Sequence, residues 1–481
     1  MRKQPLCDIY YYNFPCCNVS TFKYHLGPAR PFPVPRTSAN QTAPLICGTL
    51  DAPLDHNDKS SNKTVTLELA KIEGKSKPWG WKSVLFNPGG PGENSLDAIA
   101  NIGPELHAIL GDKIDLVTFN TRGVGNTVPF SCYNTDAERL AALDSCYAYM
   151  NKTGDLYGTA FITRDMMQIV DALGGDGLLH YWGEWLLPCF SYGTALGATV
   201  AAMFPDRVGS VTLDGVLNPY HDDMKIADAD KTLSGFCSSC LDAPDLCKLS
   251  HLASLGPELE ATLYSLLDDL KYHPIPLGSA LMEYQINITA SAENLADFSS
   301  ASPTAKESTQ GIKCSDKTIR AATFEQFEPV IDIAYNLSRF RGDINVRANM
   351  QCAQWDKRMS AKGRCEGNLH VRTQSPFYPC PAVPFISARN ASEAFEWSVL
   401  LRHDGYGHAS IGQPSICTGM VVRDYFLDGT LPEERKVCEP SIPPFSGDTW
   451  EEDFPSTPIR RRRACGDVKG IDGASSEDAT S

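Results

Sequence analysis

A serine at position 191 stands in Cys189-Phe190-Ser191-Tyr192-Gly193, between an apolar stretch and a run of small residues that ends at Phe204-Pro205. A nucleophilic serine on a strained strand-to-helix turn needs small neighbours, because strand and helix nearly touch there; the turn also sets the next backbone N–H at the developing oxyanion. The pattern is close to Gly-x-Ser-x-Gly, with Cys189 where the first glycine would stand. Upstream, Asn87-Pro88-Gly89-Gly90-Pro91-Gly92 directly follows a second apolar stretch. A loop of that kind can bring a bare N–H to a carbonyl oxygen and complete an oxyanion hole. Each segment alone also reads as an ordinary turn, and the two together favour acyl-transfer chemistry. In such a site the chain order is serine, acid, histidine. Five of the ten histidines follow residue 222, namely His251, His273, His370, His403 and His408. His408, in Gly405-Tyr406-Gly407-His408-Ala409-Ser410, occupies the late glycine-rich loop expected of a mobile base.

The elements that must carry these residues follow from hydrophobic period. Val65, Leu67 and Leu69 alternate with polar residues, while Val84 to Phe86 and Ile114 to Phe119 are continuous apolar runs that end in glycine-rich loops, so all three predict strands. Thr163 reads as the cap of a helix with Met166, Met167, Ile169, Val170 and Leu173 on one face, stopped by Gly174-Gly175. A strand at Leu178 to Gly183, a small-residue helix to Phe204 and a strand at Val208 to Leu213 follow. This alternation predicts an α/β fold with a mostly parallel sheet. Between about 220 and 351 helical windows dominate, such as Leu255 to Leu270 and Phe324 to Asn336, as in an inserted helical lid. The expected organisation is an irregular arm over 1–43, a first core part over 44–222, a lid over 223–372, a second core part over 373–446 and a disordered tail over 447–481. That tail carries Arg460 to Arg463.

Composition limits what the site can serve. The chain has 481 residues with 43 Lys plus Arg against 58 Asp plus Glu, a net charge of −15, which opposes a nucleic-acid partner. The apolar run Trp185 to Pro205 reaches the ~20 residues of a membrane span, but its proline, glycine and hydroxyl residues mark a buried core segment. Seventeen cysteines and the sequons at Asn18, Asn40, Asn62, Asn151, Asn287, Asn336 and Asn390 point to the secretory route, although no signal peptide is legible after Met1-Arg2-Lys3. Cys237, Cys240 and Cys247 lack a second ligand pair at metal spacing, so disulfides are expected instead, Cys240 with Cys247 and Cys417 with Cys438. The odd count leaves a free thiol, with Cys189 and Cys380 as candidates.

Taken in order, Cys47-Gly48-Thr49-Leu50, Pro53-Leu54-Asp55-His56, Asn87 to Gly92, Thr121-Arg122-Gly123-Val124-Gly125, Ser191-Tyr192-Gly193-Thr194, Leu213-Asp214-Gly215-Val216 and Gly407-His408 resemble the tripeptidyl-aminopeptidase-like branch of the α/β-hydrolases, relatives of the prolyl aminopeptidases. Pro414-Ser415-Ile416-Cys417-Thr418, Val422 to Phe426 and Gly429-Thr430-Leu431-Pro432 resemble that family's C-terminal segment, and the likeness covers about residues 45 to 446. The resemblance implies an α/β-hydrolase fold with a helical lid, and a secreted serine exopeptidase that removes short peptides or single residues from substrates with a free N-terminus. It implies that Ser191 attacks the scissile carbonyl, that His408 takes and returns the proton, and that the N–H groups of Gly90 and Tyr192 hold the oxyanion. No metal or organic cofactor is implied. Lid carboxylates such as Asp228, Asp230, Glu258, Glu260, Asp268 and Asp269 are available to meet a substrate ammonium group.

Two departures fall on the catalytic machinery. Relatives pass from Tyr-Trp-Gly straight into Phe-Ser-Tyr-Gly, whereas here Glu184-Trp185-Leu186-Leu187-Pro188-Cys189 intervenes between Gly183 and Phe190. The family's acid column falls on Cys380, in Tyr378-Pro379-Cys380-Pro381-Ala382-Val383-Pro384, and Asp404 is the near substitute in sequence. The other readings are a catalytically impaired homologue that keeps the fold, and an esterase acting on small acyl substrates.

Overall fold

The computed structural model describes residues 45–76, 82–128, 153–184, 192–218, 227–272, 303–360, 371–372, 376–378, 385–406 and 408–445. Strand β1 (Leu45–Pro53) pairs antiparallel with β2 (Thr64–Ile72), which pairs antiparallel with β4 (Ile114–Phe119). The rest of the main sheet is parallel: β4, β3 (Lys82–Asn87), β5 (Leu179–Gly183), β6 (Val208–Asp214), β7 (Pro376–Tyr378) and β8 (Val399–Leu400), side by side in that order. Parallel strands covered on both faces read as unbroken apolar runs, which is why β4 and β5 are buried at every position. The alternation in β2 matches its edge-side place, where Thr64 and Thr66 face solvent and Val65, Leu67 and Leu69 are buried.

Successive strand residues feed opposite faces. Val84, Phe86 and Trp182 pack with α1 (Ser95–Leu110) and α10 (Ile416–Asp428), through Ile99, Leu106, Val422 and Phe426. Leu85, Tyr181 and Val211 pack on the other face with α2 (Thr159–Leu173) and α3 (Tyr192–Met203), through Ile162, Met166, Leu196 and Val200. Helix α1 was not anticipated, because Gly103-Pro104 interrupts its pattern; its start is capped by Asn94, whose side chain accepts the Leu96 N–H at 3.1 Å. Helix α2 begins a turn before the expected Thr163 cap. Ala160, Phe161 and Ile162 already belong to the buried face, and the Thr163 hydroxyl bonds to the Ala160 carbonyl at 2.9 Å inside the helix.

Five described helices lie between β6 and β7: α4 (Ala229–Asp242), α5 (Gly256–Tyr272), α6 (Pro303–Asp316), α7 (Phe324–Leu337) and α8 (Gly342–Ala353). Disulfide Cys314–Cys352 ties α6 to α8, and Cys240–Cys247 closes the end of α4. Helix α9 (Phe385–Ala394) follows β7, and Cys417–Cys438 ties the start of α10 to a short strand, Val437–Cys438, that pairs with Arg402–His403. The free thiol among the described residues is Cys237, buried in α4; Cys189 and Cys380 lie outside them. The expected arm and tail also lie outside them. No helix among the described residues is long and apolar enough to cross a membrane.

One buried ionic cluster links β1's end to the core. Asp165 on α2, with no exposed side chain, accepts from Arg122 Nε at 2.6 Å and Nη2 at 2.8 Å and bonds His56 Nε2 at 2.7 Å. Arg122 also donates to the carbonyls of Pro53 at 2.7 Å and Leu54 at 2.5 Å, and lies 5.2 Å over the Phe161 ring.

Candidate active site

The C-terminal ends of β3, β5, β6 and β7 lie at one edge of the sheet, where ligands of open α/β sheets bind. At the end of β5 the main chain leaves no space for side chains. A Cβ on Gly183 would collide with the Gly193 carbonyl, and one on Gly193 would lie 2.6 Å from the carbonyl oxygens of both Asn87 and Glu184. The Tyr181 hydroxyl bonds the Gly193 carbonyl at 2.7 Å, and the Glu184 N–H bonds the Asn87 carbonyl at 3.1 Å. This close meeting of β3, β5 and the start of α3 is the packing that a nucleophile elbow requires. Ser191 itself lies outside the described residues, and Tyr192 is its first described neighbour.

Tyr192 opens α3, so its N–H has no acceptor within the helix. Its buried phenol bonds the Thr159 hydroxyl at 2.8 Å, and Thr159 in turn donates to Asp316 of α6 at 2.5 Å. Burial, then the Asp316 charge, hold that phenol well above its ordinary pKa, so it stays neutral. Gly90 sits in the loop after β3 with φ +104°. Helix α6 grips this loop and the one after β4, since Thr309 donates to the Pro91 carbonyl at 2.5 Å and Ser308 to that of Gly123. The helical segment is thereby anchored beside the Gly90 loop.

His408 is half-buried on the loop before α10, its carbonyl oxygen against Gly215 at the end of β6. His403, another late histidine, is a structural residue: it is buried, its Nδ1 meets the Thr418 hydroxyl at 3.0 Å, and burial pushes its pKa down to about 4. His251 lies exposed after α4, and His273 and His370 fall outside the described residues. The Asp404 carboxylate is engaged by Arg402, at 2.6 Å from Nη2 and 3.2 Å from Nε, so an ion pair competes with any role on His408. Cys380 lies outside the described residues. Tyr378, two positions before it, pairs with Asp214 at the ends of β7 and β6.

Sequence reasoning missed Glu184. It opens the insert and is fully buried, its carboxyl lacking a well-formed hydrogen bond and lying near Asp214, Glu105 and the Ile411 backbone. Burial first, then the Asp214 and Glu105 charges, push its pKa well above the carboxylate range; burial likewise raises Asp214 to about 6, against the lowering bonds from Ser410 and Gly215. Both acids bind protons more tightly folded than unfolded. Their contribution to stability is therefore complete below the unfolded carboxylate range and is lost as pH rises through about 6 and above. Glu184→Gln is expected to raise stability by about 1–3 kcal/mol near pH 8 and to change it little near pH 4. Thermal unfolding at the two pH values measures this, and an equal effect at both would show that Glu184 is not the titrating group.

Among the described residues no group of three or more His, Cys, Asp or Glu is arranged to hold a metal ion. Residues 82–235 match the family described as alpha/beta hydrolase fold, and residues 378–438 match the family described as TAP-like protein. Serine protease Hip1 of Mycobacterium tuberculosis is 31% identical over 201 residues, covering 37% of this chain and 37% of that protein. Tripeptidyl aminopeptidase of Streptomyces coelicolor is 28% identical over 209 residues, covering 38% of this chain and 37% of that protein. These matches span little more than a third of either relative's own length. The crystal structure of a proline iminopeptidase from Mycobacterium smegmatis aligns over 78% of this chain and 97% of that one, with 12% identity and a TM-score of 0.36.

Proposed function

Because the chain has the α/β-hydrolase fold, with a TAP-like C-terminal segment, we propose that it is a secreted serine exopeptidase that releases short peptides or single residues from a free N-terminus. The observation that carries this reading is the convergence, at one sheet edge, of the glycine loop after β3, the close-packed start of α3 and the His408 loop. Ser191 attacks the scissile carbonyl while His408 accepts its proton and later delivers it to the leaving amine. The N–H groups of Gly90 and Tyr192 stabilise the oxyanion. The lid, held on the Gly90 loop through Thr309, borders the acyl site and selects the substrate's N-terminal portion. Secretion accords with the disulfides and with the exposed sequon residues Asn62 and Asn336.

The insert after Gly183 and the thiol at Cys380 favour a second reading, a weakened or silent homologue. A fluorophosphonate probe separates the two, because only an activated serine reacts quickly. The native chain is expected to be labelled and Ser191→Ala is not. A folded native chain that stays unlabelled would leave the silent homologue standing. Aminoacyl anilides with a free N-terminus should then be cleaved in preference to blocked ones; the reverse preference would mark an esterase-like hydrolase.

A further inference from the structure

Two residues beyond His408, Ser410 is tied twice to one carboxylate. Its N–H donates to Asp214 Oδ1 at 3.0 Å and its hydroxyl to Oδ2 at 2.5 Å, and both residues are buried. Asp214 ends β6, at the sheet edge where the elbow and the glycine loop meet. The next residue, Gly215, has φ +71°, and a Cβ there would come within 2.5 Å of the His408 carbonyl oxygen. The base loop therefore lies directly on the end of the strand. A carboxylate buried at a strand end costs free energy unless charge-assisted bonds offset it, and here, beside the Gly215 N–H, two such bonds come from the base loop.

We propose that Asp214 is a positioning residue for the base: acting through Ser410, it seats the His408 loop against the end of β6. The proposal rests on the serine-hydrolase reading for what the loop does, and on geometry alone for how the loop is held. Seating matters because a histidine loop free to sample other conformers spends less time in line with the serine, and misplacement of about 1 Å can cost about a hundredfold in rate. The ring of His408 needs no bond to Asp214 for this. Gln413 holds the loop's flanks, accepting the Tyr406 N–H at 2.7 Å and donating to the Ile442 carbonyl at 2.9 Å, so the Ser410 bonds govern the segment nearest the base.

The test uses the full chain as Asp214→Ala, Ser410→Ala and Ser410→Thr. Each is followed by amide exchange over residues 405–412 and by the rate of fluorophosphonate labelling. Asp214→Ala and Ser410→Ala are expected to speed loop exchange about tenfold and to slow labelling by a similar factor, while exchange in β3 to β5 is unchanged. Ser410→Thr retains the hydroxyl and should keep both readouts near native values. If Asp214→Ala does not fold, Ser410→Ala decides. Unchanged loop exchange in Ser410→Ala overturns the proposal, as does exchange that rises equally in the loop and the sheet, or a loosened loop with labelling unaffected. A native chain that is never labelled, together with a loop loosened locally by Ser410→Ala, keeps Asp214 as the loop's seat and removes the serine-hydrolase reading instead.

Discussion

Cys380→Asp is expected to raise turnover by up to about 10⁴, the factor by which an orienting acid speeds a serine and histidine pair. Tyr378 pairs with Asp214 at the sheet's C-terminal edge, where the His408 loop rests on β6, and Cys380 comes two residues later in the sequence. In a serine and histidine pair an orienting carboxylate holds the imidazole in the tautomer that receives the serine proton and stabilises the imidazolium that forms. A thiol, with an ordinary pKa of about 8.5, supplies neither charge nor a strong acceptor near neutrality. Asp404 does not substitute freely while Arg402 holds its carboxylate at 2.6 Å. Turnover of an aminoacyl anilide by Cys380→Asp, with Cys380→Ser as the size control, measures the effect. A gain confined to the aspartate variant supports the acid column at 380. Equal rates for all three proteins would place the orienting group elsewhere, or show that the insert before Ser191 limits the reaction.

Asp165→Asn is expected to destabilise the fold by about 3–5 kcal/mol, a large share of the roughly 5–15 kcal/mol that holds an ordinary domain together. The aspartate is wholly buried and receives two Arg122 bonds and the His56 contact. An amide keeps the shape and removes the charge, leaving a buried guanidinium without its counterion. The two carbonyl bonds from Arg122 to Pro53 and Leu54 hold the end of β1, so loss should begin there. Denaturant unfolding gives the total, and amide exchange in β1 gives the place. A loss below about 1 kcal/mol, the size of a surface ion pair, would show that water reaches this cluster.

The legible part of the fold was the part written in local period. Apolar runs located β3 to β6 to within a residue or two, since strands buried on both faces admit few polar positions. Helices α5 and α7 were legible from apolar residues at helical spacing, and Cys240 with Cys247 by a short spacing that the structure also closes. Helix α1 escaped because Gly103-Pro104 breaks its pattern, although Asn94 carried a cap signal. The antiparallel pairing of β1, β2 and β4 escaped as well, because strand direction depends on how chain segments meet rather than on side-chain period.

For the site, residue type and order along the chain determined the candidates: a serine between an apolar strand and small residues, a glycine loop upstream, a histidine late, and a thiol in the acid's column. Those are local properties, because a strained turn or a bare N–H demands particular residues wherever it is used. Only the tertiary structure decided which distant groups share a boundary. Separations of 109 residues between His56 and Asp165, and of 196 between Asp214 and Ser410, leave no periodic trace. Glu184 reads as an ordinary acidic residue until the packing of β5 against α3 buries it beside Asp214. Burial and the hydrogen bonds that offset it arise from the whole chain at once, so no window of sequence contains them.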